Sequence, residues 1–98
     1  MHVMARDIIG RNAVTLEQGQ CLYHTVHAAL LAGERVTIDF TGVEIYVSEC
    51  ANAAFGQLYR DIARTDLQER LTIVNMPPYA ERLLRAVTAN ARRYYGKE

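Results

Sequence analysis

Two short β-branched runs, separated by stretches with helical spacing, constrain this chain most. Residues 35–40 carry Val36, Ile38 and Phe40 at alternate positions, and residues 70–75 carry Leu71, Thr72, Ile73 and Val74. Both runs are rich in residue types that pack on a pleated surface. Between them Ala51, Ala54, Phe55, Leu58 and Ile62 recur three to four apart, the apolar stripe of a helix of about four turns. Leu16, Leu22, Tyr23, Val26, Ala29 and Leu30 do the same before the first run, and Leu83, Leu84, Val87, Ala91 and Tyr94 after the second. Strands that alternate with helices need crossover connections, and these imply a parallel sheet. The expected fold class is α/β: a small layer domain in the order β(β)αβαβα, with a mostly parallel core sheet and helices packed on it.

The boundaries follow from punctuation. Residues 2–9 read as a first strand through Val3, Ile8 and Ile9. Asn12, Ala13 and Val14 read as a short extended piece after Gly10 that pairs with the first strand as a hairpin. Thr15 is an N-cap with Gln18 completing a capping box, and Gly33 is the stop of that helix. Gly19 has two readings, a helical weak point costing about 1 kcal/mol against Ala or a site of close packing. Val43, Ile45 and Val47 form a further alternating set leading to Ser48, read as a second N-cap. Asp66 falls in a connection, and Pro77 and Pro78 end the last strand and open the last helix.

Half of the 98 residues are hydrophobic and 22% are charged, which suits one folded domain over residues 1–98 and excludes a disordered chain. Eleven basic residues balance eleven acidic ones, so a general nucleic-acid binder, which carries a basic surplus, is not expected. The charge is uneven: residues 1–49 carry a net −3 and residues 50–98 a net +3. Cys21 and Cys50 are too few for a disulfide scaffold. With no leader-like or membrane-length apolar run, the expectation is a soluble, cytoplasmic chain without membrane contact.

The stretch over residues 36–56 carries the functional signal. An apolar strand ends in Asp39. A small polar-glycine-valine turn (Thr41, Gly42, Val43) follows, then a short apolar stretch, then Ser48 at a helix start and Phe55-Gly56 within the helix. This resembles the signature of STAS domains, the sulfate-transporter and anti-sigma-factor-antagonist modules, and most of all the short single-domain bacterial STAS-like proteins. The element order agrees over roughly residues 14–90. In STAS antagonists a phosphorylatable serine sits at such a helix start, and its phosphate disfavours docking on the kinase partner. Aligning Gly42-Val43 and Phe55-Gly56 puts Glu49 at that position, with Ser48 just before it and Cys50 in place of the usual glycine. The resemblance thus implies a docking surface that persists and a switch that is altered or lost.

The implied activity is that of a non-catalytic, regulatory protein-binding module. Its partner would be an anti-sigma factor or a histidine-kinase-like ATPase, and no cofactor or metal is expected. Candidate partner-binding residues are Asp39, Thr41, Glu44, Tyr46, Ser48, Glu49, Asn52 and Tyr59, with Tyr46 as an interface anchor and Ser48 as the possible phosphosite. Plainer roles stand beside these: Ser48 as a cap, Glu49 as a dipole-complementing acid, Asp39 as a loop-stabilising acceptor. One alternative is a nucleotide- or phosphate-binding module or enzyme using Ser48 or Cys50 at the helix start, where an exposed thiol would be acidified. Another is a self-associating protein (a homodimer through a sheet edge or the Tyr-rich last helix) or an inhibitory interaction protein encoded by a mobile element. Cys21, His24 and His27 are spaced three apart, a poor single-helix metal site. Arg92, Arg93, Tyr94, Tyr95, Gly96 and Lys97 read as the end of the last helix.

Overall fold

The computed structural model describes residues 1–95. Strand β1 (His2–Met4) leads into a short helix α1 (Ala5–Ile9), then β2 (Asn12–Ala13) and the long helix α2 (Leu16–Leu31). Strands β3 (Val36–Asp39) and β4 (Ile45–Tyr46) follow, then α3 (Ser48–Ala51), a π-helical segment (Asn52–Gly56) and α4 (Leu58–Asp61). The chain closes with α5 (Arg64–Arg70), β5 (Leu71–Val74) and α6 (Pro78–Tyr95).

The sheet has strand order β1-β3-β5 and is parallel throughout, with Val3, Ile38 and Ile73 in register. Val3, Val36, Ile38 and Phe40 are buried, and Leu71 and Ile73 pack half-buried against the same core. Residues of the alternate phase, His2, Thr37 and Thr72, give the opposite face a polar character. This is the small α/β layer domain expected from the alternating runs, and the long crossovers produce the parallel pairing.

Helix α2 begins as its residues dictate. The Thr15 hydroxyl accepts from the Gln18 N–H at 3.1 Å, and the Gln18 side chain accepts from the Thr15 N–H at 2.8 Å. The helix ends before Gly33, whose φ of +86° needs no Cβ. Gly19 resolves to close packing. A Cβ there would lie 2.4 Å from the Cys50 carbonyl oxygen and 2.7 Å from the Ala53 Cβ, so α2 crosses the helical run at Cys50 and Ala53 backbone to backbone.

Several expected boundaries move. Only residues 2–4 of the first run are strand. Ala5 and Ile9 are both buried and spaced by one helical turn, so helical burial takes over from alternation. The piece at residues 12–13 makes no hairpin; it pairs with β4, in parallel. The set Val43, Ile45, Val47 loses its phase because Val43 belongs to a turn: its N–H donates to the Phe40 carbonyl at 3.0 Å, with Gly42 at φ +86°. In β4, Tyr46 is therefore the inward residue and Ile45 the outward one. Asp66 lies in the first turn of α5, where its charge favours the helix start. That helix buries only Leu67, too little for a periodic signal.

The expected four-turn helix is also not regular. Alpha-helical at its start, it passes through the π-helical segment and ends at Asp61. Ala53, Ala54, Phe55 and Gly56 are all buried, four in succession, because the segment is packed between α2 and α6. A single-faced α-helix cannot bury four successive residues, and the small side chains admit neighbours on both sides. Arg92 and Arg93 lie in the last turn of α6, as the helix-end reading requires, whereas Gly96 and Lys97 lie outside the described residues. No helix among the described residues is long and apolar enough to cross a membrane.

Candidate functional site

The corner between β3 and α3 is built by local hydrogen bonds. The Asp39 carboxylate accepts from the Thr41 N–H at 2.9 Å, from the Thr41 hydroxyl at 2.6 Å and from the Asn75 amide at 3.1 Å. It thereby ties the C-terminal ends of β3 and β5 together and closes the turn at Gly42, an Asp-led turn of a familiar kind. His2 lies 3.8 Å away across the sheet edge. Among the candidates Asp39 thus serves as the loop-stabilising acceptor, with one carboxylate oxygen fully committed inside the chain.

These bonds hold the Asp39 carboxyl well below its ordinary 3.8, at about 2, with the Thr41 hydroxyl the largest cause and the Thr41 N–H and Asn75 next. A carboxyl lowered by folding stabilises the fold above its ordinary pKa, and that contribution is lost as the pH falls through the folded value. Asp39→Asn is therefore expected to lower the urea midpoint at pH 7. The gap from wild type should close as the pH falls from about 4 to about 2, and a gap that stays constant across that range would contradict the assignment.

Beyond the turn, the ladder of β2 and β4 carries the chain to the helix. The Glu44 N–H donates to the Arg11 carbonyl at 2.8 Å, and the Val47 N–H to the Ala13 carbonyl at 3.1 Å. The Tyr79 hydroxyl, from α6, donates to the Glu44 carbonyl and accepts from the Tyr46 N–H at 3.1 Å. Val47 is held extended by its pairing with Ala13, and the helix starts one residue earlier than expected: Val47 is the N-cap and Ser48 the first helical residue, with no side-chain capping bond. The N-cap reading of Ser48 is therefore corrected, and its exposed hydroxyl makes no capping bond.

Two further candidates are corrected by burial. Tyr46 is 3% exposed and packs edge-on to Phe40, with ring centroids 5.4 Å apart. It is a core residue and cannot anchor a partner directly. Tyr59 is half-buried against the core and lines a groove with Leu67, Leu71 and Ile73, away from the corner. Thr41, Glu44, Ser48, Glu49 and Asn52 are exposed as expected. Cys50 is fully buried, and burial pushes its thiol up to about 11, the opposite of an activated thiolate. That removes the thiol from the enzyme alternative.

What the sequence reading missed is the apolar content of this surface. Val14, Leu16 and Ile45 are 46%, 49% and 47% exposed, high values for large aliphatic side chains. Val14 follows β2, and Ile45 pairs with Asn12 beside it. Leu16 shares a groove of about 440 Å³ with Asn52, Gln57, Asn90 and Tyr94. For Ile45 the phase is visible only once the Gly42 turn is placed; Leu16, expected on the buried stripe of α2, is corrected to an exposed position in its first turn.

A second cluster was missed because its members are far apart in sequence. Asp61 meets His27 at 3.0 Å, Tyr23 at 3.3 Å and Arg60 at 3.4 Å, joining α2 to α4. The Arg60 hydrogen bond, with those from His27 and Tyr23, holds Asp61 below its ordinary value, against partial desolvation. Among the described residues no three His, Cys, Asp or Glu side chains group as a metal centre would need.

A parallel α/β sheet with a serine-bearing strand-to-helix corner at one end defines the class of domain. The family described as STAS-like domain of unknown function (DUF4325) matches residues 18–81, and the chain belongs to it. No curated protein and no solved structure gives a significant match to the chain.

Proposed function

We propose that this domain is a non-catalytic regulatory module that docks a protein partner on the β4–α3 corner. The observation that carries the reading is the exposed aliphatic set Val14, Leu16 and Ile45 beside the helix start, rimmed by Glu44, Glu49 and Asn52. Clustered exposed apolar side chains within a polar rim mark interaction surfaces. Glu49 suits a basic group on the partner, Glu44 being ion-paired with Arg11 at 3.5 Å, and the STAS-like family membership favours an anti-sigma factor or a histidine-kinase-like ATPase. Ile45 takes the anchor role first expected of Tyr46.

Ser48 remains the candidate phosphosite. A phosphate there would add nearly two negative charges beside Glu49 and make this rim strongly anionic. The phosphate-ligand alternative has weaker support, because none of the residues lining the 440 Å³ groove is cationic.

The test is co-purification from the native host with wild type, Ile45→Asp and Glu49→Lys. Burial of an isoleucine contributes about 1.5–3 kcal/mol, so Ile45→Asp should weaken capture of the partner by tenfold or more. Both variants change exposed positions and should keep the wild-type circular dichroism. If both folded variants capture the same protein as strongly as wild type, the corner is not the docking surface.

A further inference from the structure

We propose that two copies of this chain associate through the free edge of β5, forming a continuous six-stranded sheet about a two-fold axis at Ile73. Strand β5 ends the sheet order, so no strand among the described residues pairs with its outer side. The Phe40 N–H donates to the Val74 carbonyl at 3.0 Å, which turns the Thr72 and Val74 peptide groups toward β3. Strand alternation then aims the Ile73 N–H and carbonyl outward. The neighbouring Leu71 N–H is already spent on the Leu67 carbonyl at the end of α5. In an antiparallel pair centred on Ile73, each Ile73 gives its N–H to the other copy's carbonyl and accepts in return. This is the self-complementary pattern that a two-fold interface requires.

The surroundings of Ile73 agree. Two adjoining cavities of about 220 Å³ each flank it, and Ile73 and Leu84 line both. Toward Leu67 and Leu71 the groove is apolar; toward Met76 it carries Glu81 and Arg85 of α6. Glu81 and Arg85 stand one helical turn apart, a spacing at which opposite charges commonly pair, yet they form no ion pair with each other or with any described residue. Since Ile73 and Leu84 line both cavities, a two-fold axis at Ile73 sets the two α6 helices antiparallel around residues 83–84 and brings Glu81 of one copy near Arg85 of the other. This charge complementarity selects a second copy as the occupant. Nothing opposes the pairing: residues 71–74 contain no charge and no proline, the usual guards of an exposed edge, and the net charge of the whole chain is zero. The surface shares no residue with the docking corner, so either assignment can fail without the other.

Sedimentation equilibrium of the full chain from about 10 to about 500 µM provides the test, since dimer formation is concentration-dependent. The mass should rise toward twice the 11.1 kDa of the chain. Glu81→Arg and Arg85→Glu, each placing like charges together, should weaken association about tenfold or more, and the double reversal should restore it. Exchange of the Ile73 amide should slow about tenfold between the dilute and concentrated ends of the series. A chain that stays monomeric throughout overturns the proposal and leaves the groove to an extended segment of another protein. A dimer that withstands both single reversals overturns it as well, placing self-association on another surface.

Discussion

Gly19→Ala is expected to lower the melting temperature by about 10–20 °C, because overpacking at a site that cannot relax costs about 2–3 kcal/mol in a chain of this size. The sign decides between two physical accounts. Helix propensity alone favours Ala over Gly by about 1 kcal/mol, so a glycine that is merely a weak point of α2 would yield a stabilised variant. The geometry requires the reverse. The added methyl would lie 2.4 Å from the Cys50 carbonyl oxygen, a backbone atom that cannot rotate away, and 2.7 Å from the Ala53 Cβ. To relieve the clash, α2 must separate from the helical run that it packs against, loosening Leu22 and Val26 on one side and Ala54 and Phe55 on the other. Thermal melts followed by circular dichroism suffice; a melting temperature equal to or above that of wild type would contradict the close approach.

Tyr46→Phe is expected to act in the opposite direction, raising stability by about 1 kcal/mol and the melting temperature by about 4–8 °C. The Tyr46 hydroxyl is buried and has no hydrogen-bond partner among the described residues, a desolvation cost of about 1–3 kcal/mol that folding leaves unrelieved. Burial, with the Cys50 thiol beside it, pushes the phenol well above its ordinary range, so the group is neutral at any physiological pH. Phenylalanine keeps the ring and its edge-on contact with Phe40 and removes only the unsatisfied oxygen. The same variant bears on the corner: Tyr46 fixes the inward phase of β4, and through it the outward display of Ile45. A destabilised Tyr46→Phe would show instead that the hydroxyl is bonded in solution.

Much of the fold was legible because its determinants are local. The capping box at Thr15 and Gln18, the stop at Gly33, the two β-branched runs and the opening of α6 at Pro78 each require only residues a few positions apart. The STAS-like resemblance held for the same reason, since its pattern runs along one contiguous stretch. The failures share a different cause. Residues 2–9 contain enough apolar side chains for a strand, but the buried pair Ala5 and Ile9 follows helical spacing set by contact with α2. Tyr46 looks amphipathic and exposed in sequence, and only the turn at Gly42 shows that its phase points inward. Ser48 loses its capping role because the helix already begins at it, with Val47, held extended by Ala13 more than thirty positions earlier, as the N-cap. The cluster around Asp61 draws on α2 and α4 and had no local signature.

The π-helical segment makes chain length, and not only chemistry, a condition of this fold. It holds about one residue more than an ordinary α-helical turn would. Were the same residues wound as regular α-helix, everything downstream would rotate by about 100° and shift by about 1.5 Å along the axis, swinging Leu58 out of the core. Point changes among its alanines alter packing by degrees, whereas a further insertion, beyond the extra residue that the segment already absorbs, would misalign the whole run against α2 and α6 at once. Within the family, spacing across this stretch should therefore be kept more strictly than the identity of the residues that fill it.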